Sequence, residues 1–581
     1  MLDPYKMIVV NLASSTTLII GLLFYRFIFP KQKFNLFFLL ILILILPVIS
    51  IFRIGAYESG DFNIHIYRSM SFYSSLNEGN IMPSWAGDLN ATYGYPLFIF
   101  NYTLPYYIIS FFHLLGFSFI MSMKLFLAIN VFLSGIFMFQ FIKNILKNNA
   151  AAFTASIFYV FAPYHLIDVH FKIVIGEILF FTLLPLSFLL MNNLYHKKTF
   201  PLLLLSSISL SGLIMSHVAL AIFAVILILS YIFFQSARDK FRNKPILNLA
   251  ALSISMLISV YAWLGPFILS QYSFVQKMKL TTVYFPTLLD ILFSPWRFGF
   301  LFQGPKGETS YLIGYSHLIV LVIILCFIVK KSVANKFIAD IYFWLAAFFI
   351  SVFLILPYSK ALWELTPIIK VTGSHRLLIF TSLTSSALAG YLTLVVKKRW
   401  VVYLLILIAI GTTILNWGQR RVIPEITDDV LRKNLWKSTS QGEAHFYANS
   451  KWADAKHPWF SKLPKDNIEI VNGKGTIKKI VRLSTKHVYE INAESPLSIE
   501  ENTLYFPGWT AKIKNKILPI YPNSKGIIIF NAPKGKYKLE LIYNDLPIYR
   551  IFKLISVASF ALALSLFLLY FVKSFFLKRF I

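Results

Sequence analysis

Apolar runs of about twenty residues follow one another along most of this chain, broken only by short polar stretches. A run of that length matches the hydrocarbon thickness of a bilayer, and only a helix satisfies its own backbone there, so the pattern predicts a polytopic α-helical membrane protein. About thirteen spans are expected, near 7–25, 35–52, 122–142, 149–167, 174–194, 199–216, 217–236, 246–269, 312–329, 338–357, 375–395, 400–416 and 552–576. After Leu415 the pattern changes: TIKKIVRL, TAKIKNKI, GIIIF and KYKLELIY alternate apolar and polar positions, and turn signals such as Asn472-Gly473 and Pro533-Lys534-Gly535 separate them. This predicts a β-sandwich outside the membrane. The expected organisation is a transmembrane domain over 1–416 with a first extracytoplasmic loop at 53–121, an extracytoplasmic β-rich domain at 417–548, and a C-terminal transmembrane helix at 549–581.

Composition sharpens the class. The chain is 57% hydrophobic and 14% charged, far from a soluble average, and its net charge is +30. Such a charge could suggest nucleic acid, but the basic residues fall in short loops between apolar runs: Arg26, Lys31 and Lys33; Lys143 and Lys147; Lys197 and Lys198; Arg238 to Lys244; Lys330 and Lys331; Lys397 to Arg399. These are expected cytoplasmic anchors, with membrane lipids and no nucleic acid as partner. They also decide a fourteenth apolar run, 97–117. If it crossed, every later cluster would face away from the first, so it is expected to be re-entrant or interfacial. The first apolar run leads into another membrane segment, so no cleavable signal peptide is expected. The single cysteine, Cys326, excludes an intrachain disulfide and a thiolate metal cluster.

Candidate chemistry gathers on the other side. Asp61, His65 and Arg68 share one face if their segment is helical. Ionisable groups at a membrane helix mouth are functional candidates. Asp61 reads either as a catalytic carboxylate or as a helix cap or partner of Arg68; His65 and Arg68 could hold phosphate or serve structure. YHLIDVHFKIVIGE brings Tyr164, His165, Asp168, His170, Lys172 and Glu177. A mutual ion pair is the better reading for Asp168 with Lys172, whereas Glu177, deeper in an apolar run, is preferred as a site residue. Arg297 and Arg376 could bind phosphate through the guanidinium fork, or contact carbonyls or lipid headgroups. His217 fits a helix hinge. His165 and His170 lack a third ligand at helical spacing, so no zinc site is expected. No cofactor is expected, with a divalent metal left open, and no Gly-rich phosphate loop supports an ATP-driven step.

The first-loop residues also resemble a known family. Asp61, His65 and Arg68, then Pro83 and Trp85, the run Tyr93-Gly94-Tyr95-Pro96-Leu97-Phe98, and Pro105-Tyr106-Tyr107 are similar to the membrane family labelled 6-pyruvoyl-tetrahydropterin-synthase-related, grouped with the GT-C glycosyltransferases. PYHLIDVHFKIVIGE and ALWELTPII resemble its later blocks, and TLYFPGW resembles the outer domain of membrane proteins linked to teichoic-acid glycosylation. Gly60 stands where the family often has His, and TGSH precedes the arginine at 376 where an aromatic-Pro-Trp run is usual.

The resemblance implies a GT-C-like fold and an integral protein of the cytoplasmic membrane, its active face extracytoplasmic. It would move a sugar from a polyprenyl-phosphate donor to a cell-surface glycan or lipid-linked acceptor. It implies Asp61 as general base, with His65, Arg68, Trp85, Tyr93, Lys172, Glu177, Arg297, Glu364 and Arg376 toward substrate. The rival readings are a transporter or flippase, and a non-catalytic assembly protein for an envelope polymer.

Overall fold

The computed structural model describes residues 4–58, 60–277, 284–366, 372–418, 421–435, 448–453, 460, 462–514 and 516–579. Among these, 8 helices are long and apolar enough to cross a membrane, and two bent pairs bring the number to as many as 10. The bent pairs are Asn149–Val160 with Pro163–Lys172, at 45°, and Ile246–Ile258 with Val260–Tyr272, at 60°. Pro163 lacks the N–H that would continue the first helix, which explains the break there. Three further expected spans, Leu36–Phe52, Phe200–Ser216 and Tyr315–Val329, form shorter apolar helices. The protein is an integral membrane protein built mainly of helices.

The run at 97–117 breaks into two pieces, Leu97–Phe100 and Leu104–Leu114, with Asn101–Thr103 between them. Its longer piece has 11 residues. At 1.5 Å per residue that is about 16 Å, roughly half the hydrocarbon thickness. It is too short to cross.

Burial orders the bundle. Ile175–Lys197 and Ser374–Val395 are each 83% buried in their most apolar stretch, against 11% for Met7–Ile28 and Pro547–Lys573. The first two therefore form the centre and the last two the lipid-facing rim. Helices apolar all round can occupy a bundle core, where packing rather than amphipathicity holds them. The central pair brings two charged residues, Glu177 and Arg376, into that core.

Beyond residue 466 the chain forms two antiparallel sheets. One takes the order β3 (Ile468–Asn472), β6 (Leu497–Leu504), β10 (Ile527–Ala532), β9 (Ile520–Pro522). The other runs β4 (Gly475–Arg482), β5 (Lys486–Ala493), β11 (Gly535–Tyr543), β7 (Trp509–Ile513), β8 (Lys516–Leu518). Period-two alternation sends Tyr489, Ile491, Ile499, Phe530, Leu539 and Leu541 inward, all buried. The sandwich is thus narrower than 417–548. Part of the preceding segment is stitched to the first loop, where β1 (Ala56–Tyr57) pairs antiparallel with β2 (Val422–Ile423). Asp428 accepts the backbone N–H groups of Phe119 and Ile120 at 2.6 and 3.2 Å, capping the long Phe119–Leu146 helix from 300 residues away in sequence.

Candidate functional site

The site starts at Gly60. Its φ is +45°, and a Cβ there would lie 2.0 Å from the Lys172 carbonyl oxygen and 2.3 Å from that of Phe171. Glycine alone lets the first loop lie so close to the end of the broken span. Asp61 then donates its backbone N–H to the Lys172 carbonyl at 2.8 Å. The helix Phe62–Asn77 begins immediately after, yet the Asp61 side chain makes no capping hydrogen bond. It stays available. Burial raises the Asp61 carboxyl above the ordinary carboxylate range, opposed by the positive charges of Arg68, Arg376 and Lys172.

The same helix carries His65 and Arg68, both buried. His65 Nδ1 and the Tyr106 hydroxyl lie 3.0 Å apart. Tyr106 stacks loosely on Tyr102, with ring centroids 6.2 Å apart, and Tyr102 lies at the same distance from the His217 ring. The Leu97–Leu114 region thereby forms an aromatic wall beside the charged groups.

The second block supplies the acidic centre. Asp168–Lys172 winds as a single π-helical turn, ended by Ile173 at φ +55°. Such turns are rare and frequent at functional sites. The turn aims Lys172 at three partners: Asp168 at 3.0 Å, the Tyr164 hydroxyl at 2.8 Å and Glu177 at 3.4 Å. Glu177, in the first turn of Ile175–Lys197, is fully buried and accepts the Tyr164 hydroxyl at 2.7 Å. Arg376, entering from the 374–395 span, donates to the other Glu177 oxygen and approaches His217 Nε2 at 3.4 Å. Its Nε has no hydrogen-bond partner among the described residues. A Cβ on Gly176 would come within 2.5 Å of the Tyr102 ring, so this neighbour too must be glycine for the wall to close.

Three carboxylates, on Asp61, Asp168 and Glu177, thus face three cations, Arg68, Lys172 and Arg376. Removing either charge of a buried pair is costly, whereas a balanced set can be held in a membrane core. The ion pair expected between Asp168 and Lys172 is present and extends to Glu177. His217, expected at a hinge, caps Val218–Arg238 through Nδ1 and also reaches Arg376.

Four residues implied by the family resemblance are placed elsewhere. Trp85 is buried against Trp509, Tyr543 and Phe506 of the β domain, at 5.4, 5.3 and 6.5 Å between ring centroids. Tyr93 stacks on Phe460 at 3.8 Å and accepts the Leu504 N–H through its carbonyl. Both fasten the first loop to the outer domain instead of lining the charged cluster. Glu364 is exposed and pairs with Lys360 one helical turn away, at 3.8 Å. Arg297 is exposed on a short turn, Arg297–Gly299, whose Gly299 carbonyl accepts the Tyr315 hydroxyl. Sequence reasoning did not single out Tyr102 or His375, although both carry aromatic signals beside named motifs. Tyr311, whose ring lies 5.0 Å from that of His375, had no such signal.

Among the described residues no group of three or more His, Cys, Asp or Glu is placed to hold a metal ion.

Comparison with known proteins places these elements in context. A family model described as the 6-pyruvoyl-tetrahydropterin synthase related domain, a membrane protein, matches residues 100–423, more than half of the chain. That stretch holds Lys172, Glu177 and Arg376 but begins after Asp61. An uncharacterized protein of Lactococcus lactis subsp. cremoris (strain MG1363) is 26% identical over 296 residues, covering 50% of this chain and 47% of that one. The chain therefore aligns with about half the length of that relative. Among solved structures, the arabinofuranosyltransferase AftD from Mycobacteria aligns at a TM-score of 0.41 and 14% identity, over 66% of this chain and 27% of that one.

Proposed function

Because the chain belongs to the 6-pyruvoyl-tetrahydropterin synthase related family of membrane proteins, we propose that this membrane-embedded cluster serves a glycosyltransferase of GT-C type. Its donor would be a sugar on a polyprenyl phosphate, and its acceptor a cell-surface glycan or lipid-linked polymer at the extracytoplasmic face of the cytoplasmic membrane. One observation carries the reading: a carboxylate not used as a helix cap, Asp61, set among three cations at one end of the helical bundle. A lipid-linked donor delivers its phosphate at that level of the membrane.

The step would run as follows in this site. Asp61 accepts the proton of an acceptor hydroxyl as its oxygen attacks the anomeric carbon. The bond from that carbon to the phosphate oxygen breaks, and its electron pair leaves with the phosphate. Arg68 and Arg376, whose buried Nε has no hydrogen-bond partner among the described residues, are the groups suited to meet that charge. Glu177 and Tyr164 would hold Arg376 and Lys172 in position. His65 and Tyr106 would support the acceptor side.

A transporter reading draws on the two broken spans, since discontinuous helices line many transport sites. Here, however, the charges sit in the last turn of one broken span and the first turn of the next helix, at the end of the bundle. The test is Asp61→Asn in membranes that still contain the inserted protein. Asn keeps the size but accepts no proton, so transfer should fall by roughly 10²–10⁴. Near-parental transfer would remove Asp61 as the base and, with it, the observation that carries this reading.

A further inference from the structure

A cavity with a mixed polar and apolar lining lies farther along the helix that follows Asp61. It has a volume of about 340 Å³, and its walls come from three parts of the chain. The C-terminal half of Phe62–Asn77 gives Tyr73, Ser74 and Asn77, the following loop gives Glu78 and Asp88, and Arg432 enters from the short helix Asp428–Lys433. Apolar Met70, Phe119 and Leu435 complete it. The volume is at the lower end of the range for small-ligand sites. None of the charged cluster around Glu177 lines it.

The chemistry of this lining is selective. Two carboxylates against one guanidinium disfavour a phosphate or another anion. A hard divalent cation needs six or more oxygen ligands at short range, while Glu78 already accepts the Ser484 N–H at 2.9 Å. What suits the set is a neutral ligand whose groups both donate and accept. Hydroxyls can donate to Glu78 and Asp88, accept from Asn77 and Arg432, and exchange either way with Ser74 and Tyr73. Tyr73 is held edge-on by His113 at 4.6 Å, and His113 stacks on Phe119 at 3.7 Å, so the aromatic wall is rigid. A ring with apolar C–H faces and hydroxylated edges fits such a wall. Burial, and then the nearby Glu78, raise the Asp88 carboxyl to about 6, so near neutral pH part of it can itself donate.

We infer that this cavity holds a distal sugar residue of the acceptor glycan. The inference rests on the glycosyl-transfer reading above and adds where the acceptor chain is gripped. From Asp61 to Ser74 the helix rises about 20 Å at 1.5 Å per residue, which is the reach of several sugar residues rather than one. The cavity therefore sets a minimum acceptor length.

The experiment uses full-length protein in membranes and neutral glycan fractions of increasing chain length, prepared from the host envelope. With the parent protein, KM for acceptor should drop about 10-fold once the chain is long enough to reach the cavity. Asn77→Ala and Arg432→Ala change exposed side chains, so folding is retained. Each should remove most of that drop while leaving kcat unaltered. A KM independent of chain length in the parent, or a loss of kcat without change in the length profile, would overturn the inference. If the parent transfers no sugar at all, the enzymatic reading has failed on its own. Retention of the same labelled fractions by detergent-purified parent and Asn77→Ala protein then decides the cavity. Weaker retention by the variant supports glycan binding there, and equal retention overturns it.

Discussion

Asp61 is held by its backbone, and its side chain is not spent on capping the helix that it precedes. The N–H is fixed to the Lys172 carbonyl, so the residue cannot wander, while the carboxyl caps nothing. Its raised pKa makes a second property testable. A carboxylate whose pKa is raised takes up its proton at a higher pH, so transfer should fall away on acidification earlier than an ordinary carboxylate would dictate. Arg68 opposes that rise through its charge. Arg68→Gln should therefore move the acid limb of kcat/KM further up in pH, read from the activity that remains. A limb that stays in place, or moves down, would show that the titrating group is not Asp61.

Elements decide which residues meet, and here reading from sequence alone reached its limit. Spacing placed Asp61, His65 and Arg68 on one helical face; the helix Phe62–Asn77 carries His65 and Arg68, and Asp61 is the residue just before it. Composition also marked Lys172, Glu177 and Arg376 as unusual for a membrane core. Their mutual pairing joins residues about 200 positions apart, which no local pattern encodes. Trp85 and Tyr93 were misleading for a physical reason. An aromatic motif in a loop fits a sugar platform and a domain interface equally well, and the partners Trp509, Tyr543 and Phe460 lie hundreds of residues downstream. Gly60 gives the sharpest test at this scale. Gly60→Ala must push the first loop off the Lys172 carbonyl and shift Asp61 by the order of 1 Å, a displacement that can cost on the order of 100-fold in rate. Gly21, which has nothing within 4 Å of an added Cβ, serves as the control for insertion and expression. Unchanged transfer in Gly60→Ala would mean that this contact does not position the base.

At the scale of the molecule, the argument turns on parity. Each full span reverses the side on which the next loop lies, so one misjudged crossing would scatter the basic clusters over both faces. The short Leu104–Leu114 helix removes that crossing, and Lys143, Lys197 and Lys397 then fall at the same end of the bundle. The cluster around Glu177 and the β domain fall at the opposite end, held together by Trp85, by the β1–β2 pairing and by Arg482, which reaches from β4 to the Thr92 carbonyl at 3.1 Å. Positive loops face the cytoplasm in most membrane proteins, so the prediction puts the reactive end outside. The prediction uses Cys326→Ser as background, since Cys326 is exposed. Single cysteines then replace Ile81 and Ser524 at one end and Lys143, Lys197 and Lys397 at the other, all exposed positions. A membrane-impermeant maleimide added to intact cells should label positions 81 and 524, and reach 143, 197 and 397 only after lysis. The opposite pattern would put the site on the cytoplasmic side, where a nucleotide-linked donor becomes accessible and a polyprenyl-phosphate donor is no longer required. Labelling of 81 and 143 from the same side would restore the crossing at 97–117 and break the shared face on which the three-by-three charge cluster depends.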